Sequence, residues 1–142
     1  MKRSASAEWM GGLEDGKGLI TTESGVLAES PYGFKTRFGS EAGTNPEELI
    51  AAAHVSCFTM ALSGQLAAAK MNAQSIVVKA TVSLDKRETD WTVTCIHLEV
   101  SAKIPGADTA KFLSAANRAK FNCPISRLLG AAAKITMDAR LS

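Results

Sequence analysis

Three cysteines, Cys57, Cys95 and Cys123, are the residues of this 142-residue chain whose chemistry most needs an explanation. They are too few for a disulfide-rich secreted scaffold, and no two of them have the Cys-x-x-Cys spacing of a zinc site. A reactive thiol needs a lowered pKa, which a neighbouring cation or the amides at the start of a helix can provide. The positions of the three thiols in the predicted elements therefore decide which of them can react.

Cys123 precedes Pro124 at a predicted helix break and can cap a short helix over residues 125–129. The amides at a helix start favour a thiolate, although Asn122-Cys123-Pro124 also suits a simple turn. Cys57 is predicted in the middle of a helix, where a cysteine by default packs as a small apolar residue. Reactivity there would require a cation such as an arginine to lower its pKa.

Two histidines accompany the cysteines without completing a site. His54 precedes Cys57 by one helical turn, and we expect a packed, hydrogen-bonded histidine because an orienting group and an oxyanion site are missing. Cys95 shares the polar face of a predicted strand with His97 and Glu99, which is too small a set for a metal site. Of the two acidic residues at the helix start, Glu47 can share a face with Cys57, whereas Glu48 lies about half a turn away.

The helix that carries Cys57 is predicted to begin near Thr44 and to end near Lys70. Thr44 and Glu47 have the spacing of a capping box, and Pro46 suits the first helical turn. Residues 49–69 carry no formal charge, but polar groups and many alanines argue against a membrane span. A helix that is uncharged nearly all round should be buried on most of its circumference, so we expect a second subunit to cover it.

The remaining pattern predicts strands and one further helix. Four short strands separated by glycines, over residues 4–10, 19–24, 26–29 and 34–38, suit an antiparallel meander. Strands over 76–84 and 91–104 are followed by a helix that Asp108 caps and that runs to Lys120, then by a strand over 134–141. The apolar face of that helix is expected to be Phe112, Leu113, Ala116 and Ala119.

Composition limits the function classes. With 46% hydrophobic residues and 16 Lys and Arg against 14 Asp and Glu, the chain offers no strong field for nucleic acid or an anionic membrane. Its length predicts a single domain over residues 1–142. The N-terminus has two basic residues but no apolar segment after them, so we expect a cytoplasmic protein.

Several segments together resemble the osmotically inducible protein C (OsmC) family, whose relatives include the organic hydroperoxide resistance proteins. The resemblance extends over essentially the whole chain, in order. Its segments are residues 43–54 (GTNPEELIAAAH), 57–63 (CFTMALS), 23–27 (ESGVL), 31–38 (PYGFKTRF) and 123–129 (CPISRLL).

The resemblance implies a thiol-dependent peroxidase that reduces organic hydroperoxides to alcohols in stress defence. It implies an α+β fold in which antiparallel sheets wrap around long central helices of an intertwined homodimer, without a metal or other cofactor. Carried over by residue, Cys57 would be the peroxidatic thiolate and Cys123 the resolving cysteine, while Arg37 would activate the thiolate and Glu47 would hold Arg37. A dithiol, lipoyl-linked in the organic hydroperoxide branch, would regenerate the thiols.

Two alternatives remain open from the residues. A non-catalytic redox sensor or small-ligand-binding dimer on the same fold would oxidise Cys57 and Cys123 slowly. A purely structural dimer would use its thiols for packing. Cys95 lies outside the family pattern, and His54 lies inside it without an assigned chemical role. Phe38, Phe58 and Met60 are candidates for contact with an alkyl chain, although core packing suits each of them as well.

Overall fold

The computed structural model describes residues 1–142, which form two compact units, Met1–Leu49 and Ile50–Ser142. The first unit contains a three-stranded antiparallel sheet in the order β1 (Ala5–Met10), β2 (Lys17–Thr22), β3 (Ser30–Tyr32). The predicted meander is thus confirmed in part. That residues 1–142 act as a single domain stays a prediction.

Two of the four strands predicted in the first unit are wrong. Residues 26–29 form a loop, because Thr22 bonds both backbone groups of Leu27 and closes the chain on itself. Residues 34–38 form a one-turn helix, α1 (Phe34–Phe38). The hydroxyl of Thr36 accepts a 2.8 Å hydrogen bond from the amide of Gly33, and this local bond outweighs the strand-like alternation of the segment.

The long helix α2 spans Pro46–Ala68, close to its predicted bounds, with Pro46 in the first turn. The predicted capping box is wrong. The side-chain oxygen of Asn45 caps the helix by accepting a 2.8 Å hydrogen bond from the amide of Glu48. Thr44 instead donates its amide to the carbonyl of Pro31, and the Glu47 carboxylate binds Arg37.

Within one chain, α2 buries a single stripe rather than most of its circumference. Its buried residues recur every fourth position: His54, Phe58, Leu62 and Leu66. The opposite face includes Ala52, Ser56, Met60 and Gly64, which are exposed and uncharged. The helix is long and apolar enough to meet the composition test for a membrane span, a test that core helices of soluble proteins also meet.

The second unit contains the sheet β4 (Ser75–Arg87), β5 (Asp90–Lys103), β6 (Lys134–Leu141), in that order. Strands β4 and β5, both predicted, pair antiparallel, whereas β5 and β6 are parallel. The expectation of purely antiparallel sheets is therefore wrong for this pair. The two helices between β5 and β6 provide the crossover that a parallel pair requires.

Those crossover helices are α3 (Thr109–Asn122) and α4 (Pro124–Leu129). The predicted cap is confirmed, because the Asp108 carboxylate accepts a 2.8 Å hydrogen bond from the amide of Lys111. The buried face of α3 consists of Phe112, Ala115, Ala116 and Ala119. Leu113, predicted on this face, is 38% exposed, and Ala115 takes its place in the core.

Candidate active site

The second unit brings the sulfur atoms of Cys57 and Cys123 to within 2.8 Å of each other. Both thiols are free and share a hydrogen bond, although 66 positions separate them in the chain. Their burial differs: Cys57 on α2 is half-buried, whereas Cys123 is 0% exposed. A small molecule in solvent therefore meets Cys57 first.

Cys123 caps the N-terminus of α4, as the sequence predicts. Its sulfur accepts a hydrogen bond from the amide of Ser126 over 3.4 Å. The first turn of α4 therefore supplies Cys123 with an N–H donor, which favours a negative charge on its sulfur.

The pKa values of the two thiols move in opposite directions. Burial raises the pKa of Cys57, and its hydrogen bond with Cys123 raises it further. Burial also raises the pKa of Cys123, but its interactions with Cys57, Ser126 and the backbone of Ile125 outweigh burial and bring the pKa below its ordinary value. The opposite directions follow from how many hydrogen bonds offset burial at each sulfur.

His54 is fully buried, and its Nε2 lies 2.7 Å from the hydroxyl oxygen of Ser126. The expectation of a packed, hydrogen-bonded histidine is confirmed. Burial lowers the pKa of His54, so the imidazole is neutral near pH 7. Its Nδ1 is buried without a hydrogen-bond partner. Sequence reasoning missed Ser126, because no local signal indicates a contact between residues 72 positions apart.

The first unit holds a bidentate ion pair between Arg37 and Glu47. The Arg37 Nη2 donates to Glu47 Oε1 over 2.7 Å, and Nε donates to both carboxylate oxygens over 3.1 and 3.2 Å. The Glu47 side chain is 13% exposed and that of Arg37 35%. Two parallel hydrogen bonds to a largely buried carboxylate fix the plane of the guanidinium, which a single contact would leave free to turn.

Cys95 lies apart from the thiol pair, on the face of β5 opposite the core. Its sulfur is 4.0 Å from the hydroxyl oxygen of Thr136, which also bonds His97 over 2.8 Å. No group of three or more His, Cys, Asp or Glu side chains in the chain is arranged to hold a metal ion. Cys95 is thus a partly buried thiol that does not contact Cys57 or Cys123.

Comparison with known proteins identifies the class of this fold, the OsmC-like proteins. The family model of that description matches residues 39–138. The chain is also 47% identical to the peroxiredoxin OsmC of Escherichia coli (strain K12) over 139 residues, which cover 98% of this chain and 96% of the relative. The chain therefore belongs to the OsmC-like protein family, and a peroxiredoxin among its relatives supports a peroxidase-type function.

Solved structures confirm the α+β fold. The organic hydroperoxide resistance protein OhrB of Bacillus subtilis aligns with a TM-score of 0.73 at 24% identity, over 96% of this chain and 98% of that one. An OsmC-like protein of unknown function from Vibrio cholerae aligns with a TM-score of 0.77 at 15% identity, over 99% of both chains. At these identities the likeness shows the fold alone.

Proposed function

We propose that this protein is a thiol-dependent peroxidase that reduces organic hydroperoxides to alcohols. The observation that carries the proposal is the contact between a half-buried Cys57 and a fully buried Cys123, 2.8 Å apart. The 47% identity to a peroxiredoxin supports it independently. Two free thiols in contact can take up the oxidising equivalents of one peroxide as a disulfide.

The two sulfur atoms differ in solvent exposure, and this difference assigns a separate reaction step to each of them. The Cys57 thiolate attacks the distal oxygen of the hydroperoxide, so the O–O bond breaks, Cys57 becomes a sulfenic acid, and the alkoxide takes a proton to leave as the alcohol. The Cys123 sulfur then attacks the sulfenic sulfur, forming the disulfide and releasing water. From 2.8 Å, the sulfur atoms need to approach by less than about 1 Å to reach bonding distance.

Arg37 and Glu47 complete the proposal. The surroundings of Cys57 within its own unit raise its pKa, so the thiolate requires a cation, and Arg37 is the arginine that the family pattern assigns to this task. The bidentate bond to Glu47 holds the guanidinium in one orientation. In a site of low dielectric, an adjacent guanidinium lowers a thiol pKa by roughly one to three units.

A homodimer is part of the proposal. The exposed face of α2 has Met60, 77% exposed, among small uncharged residues that include Ala52, Ser56 and Gly64. A second copy of α2 could pack closely against this face, because small side chains let helix backbones approach. Phe58, in contrast, is fully buried in the core, which leaves Phe38 and Met60 as the exposed apolar candidates for alkyl contact.

A dithiol is the proposed reductant, and the cytoplasm is the proposed location. Three cysteines are too few for a disulfide-rich secreted scaffold, which favours a reducing compartment. One thiol of the dithiol attacks the Cys57–Cys123 disulfide and forms a mixed disulfide with the protein. The second thiol of the dithiol then attacks this mixed disulfide and releases the protein thiol. The dithiol ends as a cyclic disulfide, and both cysteines are left reduced for another turnover.

Consumption of cumene hydroperoxide with a dithiol as electron donor tests the proposal. The unchanged protein and Cys95→Ser should both turn over, whereas Cys57→Ser should not. A rate constant close to that of a free thiol in solution would overturn the enzyme and support a slow redox sensor or ligand-binding dimer.

A further inference from the structure

A buried polar pair, His54 and Ser126, has no role in the chemistry described so far. The two residues are 0% and 3% exposed, and their side chains lie 2.7 Å apart at Nε2 and Oγ. Burying polar groups is unfavourable unless they form hydrogen bonds, and two apolar side chains of similar volume would avoid that cost. What the hydrogen bond adds is a defined distance and angle, because apolar contacts are non-directional. The pair is therefore suited to fixing the relative position of the two helices that carry it.

His54 and Ser126 lie one helical turn from the two cysteines, on the same two helices. His54 precedes Cys57 by three residues on α2, and Ser126 follows Cys123, the cap residue of α4, by three residues. The His54–Ser126 hydrogen bond and the 2.8 Å contact between the two sulfur atoms therefore join α2 to α4 at neighbouring turns. A shift of one helix against the other that broke the hydrogen bond would also change the distance between the sulfur atoms.

Helix α4 depends on an anchor of this kind. It spans six residues, Pro124–Leu129, which is too short for an isolated helix to be stable. Ser126 is its buried residue, whereas Leu128 is 68% exposed. The amide of Ser126 also donates to the Cys123 sulfur over 3.4 Å. The position of this sulfur is thus tied to Ser126, and the side chain of Ser126 is held by His54.

The unpartnered Nδ1 of His54 gives the direction of the hydrogen bond. A neutral imidazole has one N–H, and a proton on Nδ1 would be a buried donor with no acceptor. With the proton on Nε2, His54 donates to the Ser126 oxygen. We assign this second tautomer because it leaves no buried N–H unpaired.

We propose that the His54–Ser126 hydrogen bond is a clamp between α2 and α4 that keeps Cys123 aligned with Cys57, so that the sulfenic acid of Cys57 closes to the disulfide before a second hydroperoxide oxidises it further. This inference rests on the proposed function and adds two positioning residues to it. Neither side chain changes its oxidation state. The clamp therefore stays the same while the contact between the two sulfur atoms changes at each step.

The clamp acts on the competition between two reactions of the Cys57 sulfenic acid. In the first, the Cys123 sulfur attacks the sulfenic sulfur, the S–S bond forms, the S–O bond breaks, and hydroxide leaves as water with the proton of the Cys123 thiol. In the second, another hydroperoxide transfers an oxygen atom to the sulfenic sulfur, which yields the sulfinic acid and an alcohol. The first reaction is intramolecular, so its rate depends on how the two sulfur atoms are aligned, whereas the second does not depend on their alignment.

Stopped-flow and mass-spectrometric measurements with cumene hydroperoxide, in a Cys95→Ser background, test the clamp. Ser126→Ala and His54→Leu each remove one partner of the hydrogen bond. Both should form the Cys57 sulfenic acid at the rate of the Cys95→Ser parent and then close the disulfide about tenfold more slowly, which is the order of the effect of losing one buried hydrogen bond. The hydroperoxide concentration that converts half of Cys57 to the sulfinic acid should fall by the same factor, because closure then competes less well.

Three further variants distinguish the clamp from mere packing. His54→Gln retains an amide N–H about where Nε2 lies and should recover most of the rate of disulfide closure. The double variant His54→Leu/Ser126→Ala should be no slower than either single variant, because both changes remove the same contact. Leu66→Val removes a methylene group from the buried face of α2, more than two turns beyond Cys57, and as the matched control should leave closure unchanged.

Equilibration with a glutathione redox buffer tests the clamp without peroxide. Glutathione exchanges with the two cysteines through mixed disulfides, so the buffer composition at half oxidation measures how readily the Cys57–Cys123 disulfide forms. In Ser126→Ala this disulfide should be about tenfold less favourable than in the Cys95→Ser parent, a shift of about 30 mV. His54→Gln should lie close to the parent.

The outcomes separate this inference from the proposed function. If hydroperoxide oxidises Cys57 no faster than a free thiol but the glutathione equilibrium shifts as stated, the proposed function is overturned and the clamp stands. If Cys57 is oxidised normally and Ser126→Ala changes neither the closure rate nor the glutathione equilibrium, the clamp alone is overturned. Additive losses in the double variant would also overturn it. If His54→Leu does not fold, Ser126→Ala and His54→Gln carry the test.

Discussion

The sulfur atoms of Cys57 and Cys123 lie 2.8 Å apart, one half-buried on a long helix and the other fully buried at the cap of a short one. In the proposed reaction, this asymmetry assigns the first step to Cys57 and the second to Cys123. The half-buried sulfur is open to a hydroperoxide, whereas the fully buried sulfur accepts a hydrogen bond from the amide of Ser126. Each thiol is thereby suited to a different step.

Removing the buried thiol should stop the reaction after its first step. Cys123→Ser should reduce one equivalent of hydroperoxide per chain and then stall, because its sulfenic acid has no thiol within reach. With excess peroxide, mass spectrometry should find Cys57 as the sulfinic acid. Cys95→Ser serves as the control and should turn over normally. Sustained turnover of Cys123→Ser with a dithiol would show that Cys123 does not resolve the intermediate.

Arg37→Gln should slow the reaction of Cys57 with peroxide by roughly 10- to 1,000-fold at pH 7, because the thiol pKa rises by one to three units without the guanidinium. Glu47→Gln should have a smaller effect in the same direction, since the guanidinium keeps its charge but loses the partner that orients it. Rates measured against pH should converge at high pH, where the thiol ionises without help.

Lys35→Gln is the control for this experiment, because Lys35 lies on the same short helix with its side chain 68% exposed. Its peroxide rate should match that of the unchanged protein. If Arg37→Gln retained the full rate at pH 7, the activating cation would have to be a different residue.

The buried imidazole of His54 should make the free energy of unfolding depend on pH. Its pKa in the folded state lies below its ordinary value of 6.5 because of burial, so the unfolded chain binds more protons as the pH falls below that value. The free energy of unfolding should therefore be independent of this group above about pH 6.5 and decrease on acidification, by up to about 1.4 kcal/mol per pH unit. Urea unfolding at several pH values measures this slope.

Replacing His54 by Gln should make that acidic slope shallower, whereas His97→Gln, on the partly exposed face of β5, should leave most of it in place. An equal slope in the unchanged protein and His54→Gln would mean that other groups cause the acid sensitivity.

Helix α3 offers a matched pair of phenylalanines for testing the core. Phe112 is 0% exposed and Phe121 is 70% exposed on the same helix. Phe112→Ala should lower the free energy of unfolding by about 3–5 kcal/mol through lost burial and a cavity. Phe121→Ala should change it by less than about 0.5 kcal/mol. Similar effects of the two substitutions would contradict the burial of Phe112 in the core, unless a partner subunit covers Phe121.

A charged residue on the exposed face of α2 should disrupt the proposed homodimer. Met60→Lys should convert the dimer to a monomer in sedimentation experiments, because a buried lysine without a partner opposes association. Val26→Lys, at an 85% exposed loop position, should leave the dimer intact. A monomeric unchanged protein at micromolar concentration would contradict the proposed assembly.

Local patterns predicted much of this fold, and the failures have local causes too. The alternation along β4 and β5 and the Asp108 cap are encoded within a few residues and were predicted correctly. The segment 34–38 alternates like a strand but folds as a helical turn, because the hydroxyl of Thr36 bonds the backbone of Gly33. Thr44 and Asn45 are both good helix caps, and the binding of Glu47 by Arg37 removes the capping-box partner of Thr44.

Some features of the candidate site could also be predicted from the sequence, and others could not. The cap position of Cys123 follows from Asn122-Cys123-Pro124, and the assignment of Cys57, Arg37 and Glu47 followed from the family resemblance. The contact of His54 with Ser126 brings α2 and α4 together across 72 positions, and no sequence spacing encodes such a contact. Likewise, the opposite pKa shifts of the two thiols arise from burial and hydrogen bonds that only the folded chain defines.

Peptide mapping by mass spectrometry after reaction with one equivalent of cumene hydroperoxide tests the central claim most directly. The account predicts one cumyl alcohol per chain, a disulfide between Cys57 and Cys123, and an unmodified Cys95. A disulfide that includes Cys95, or both Cys57 and Cys123 still free after the peroxide is consumed, would contradict it.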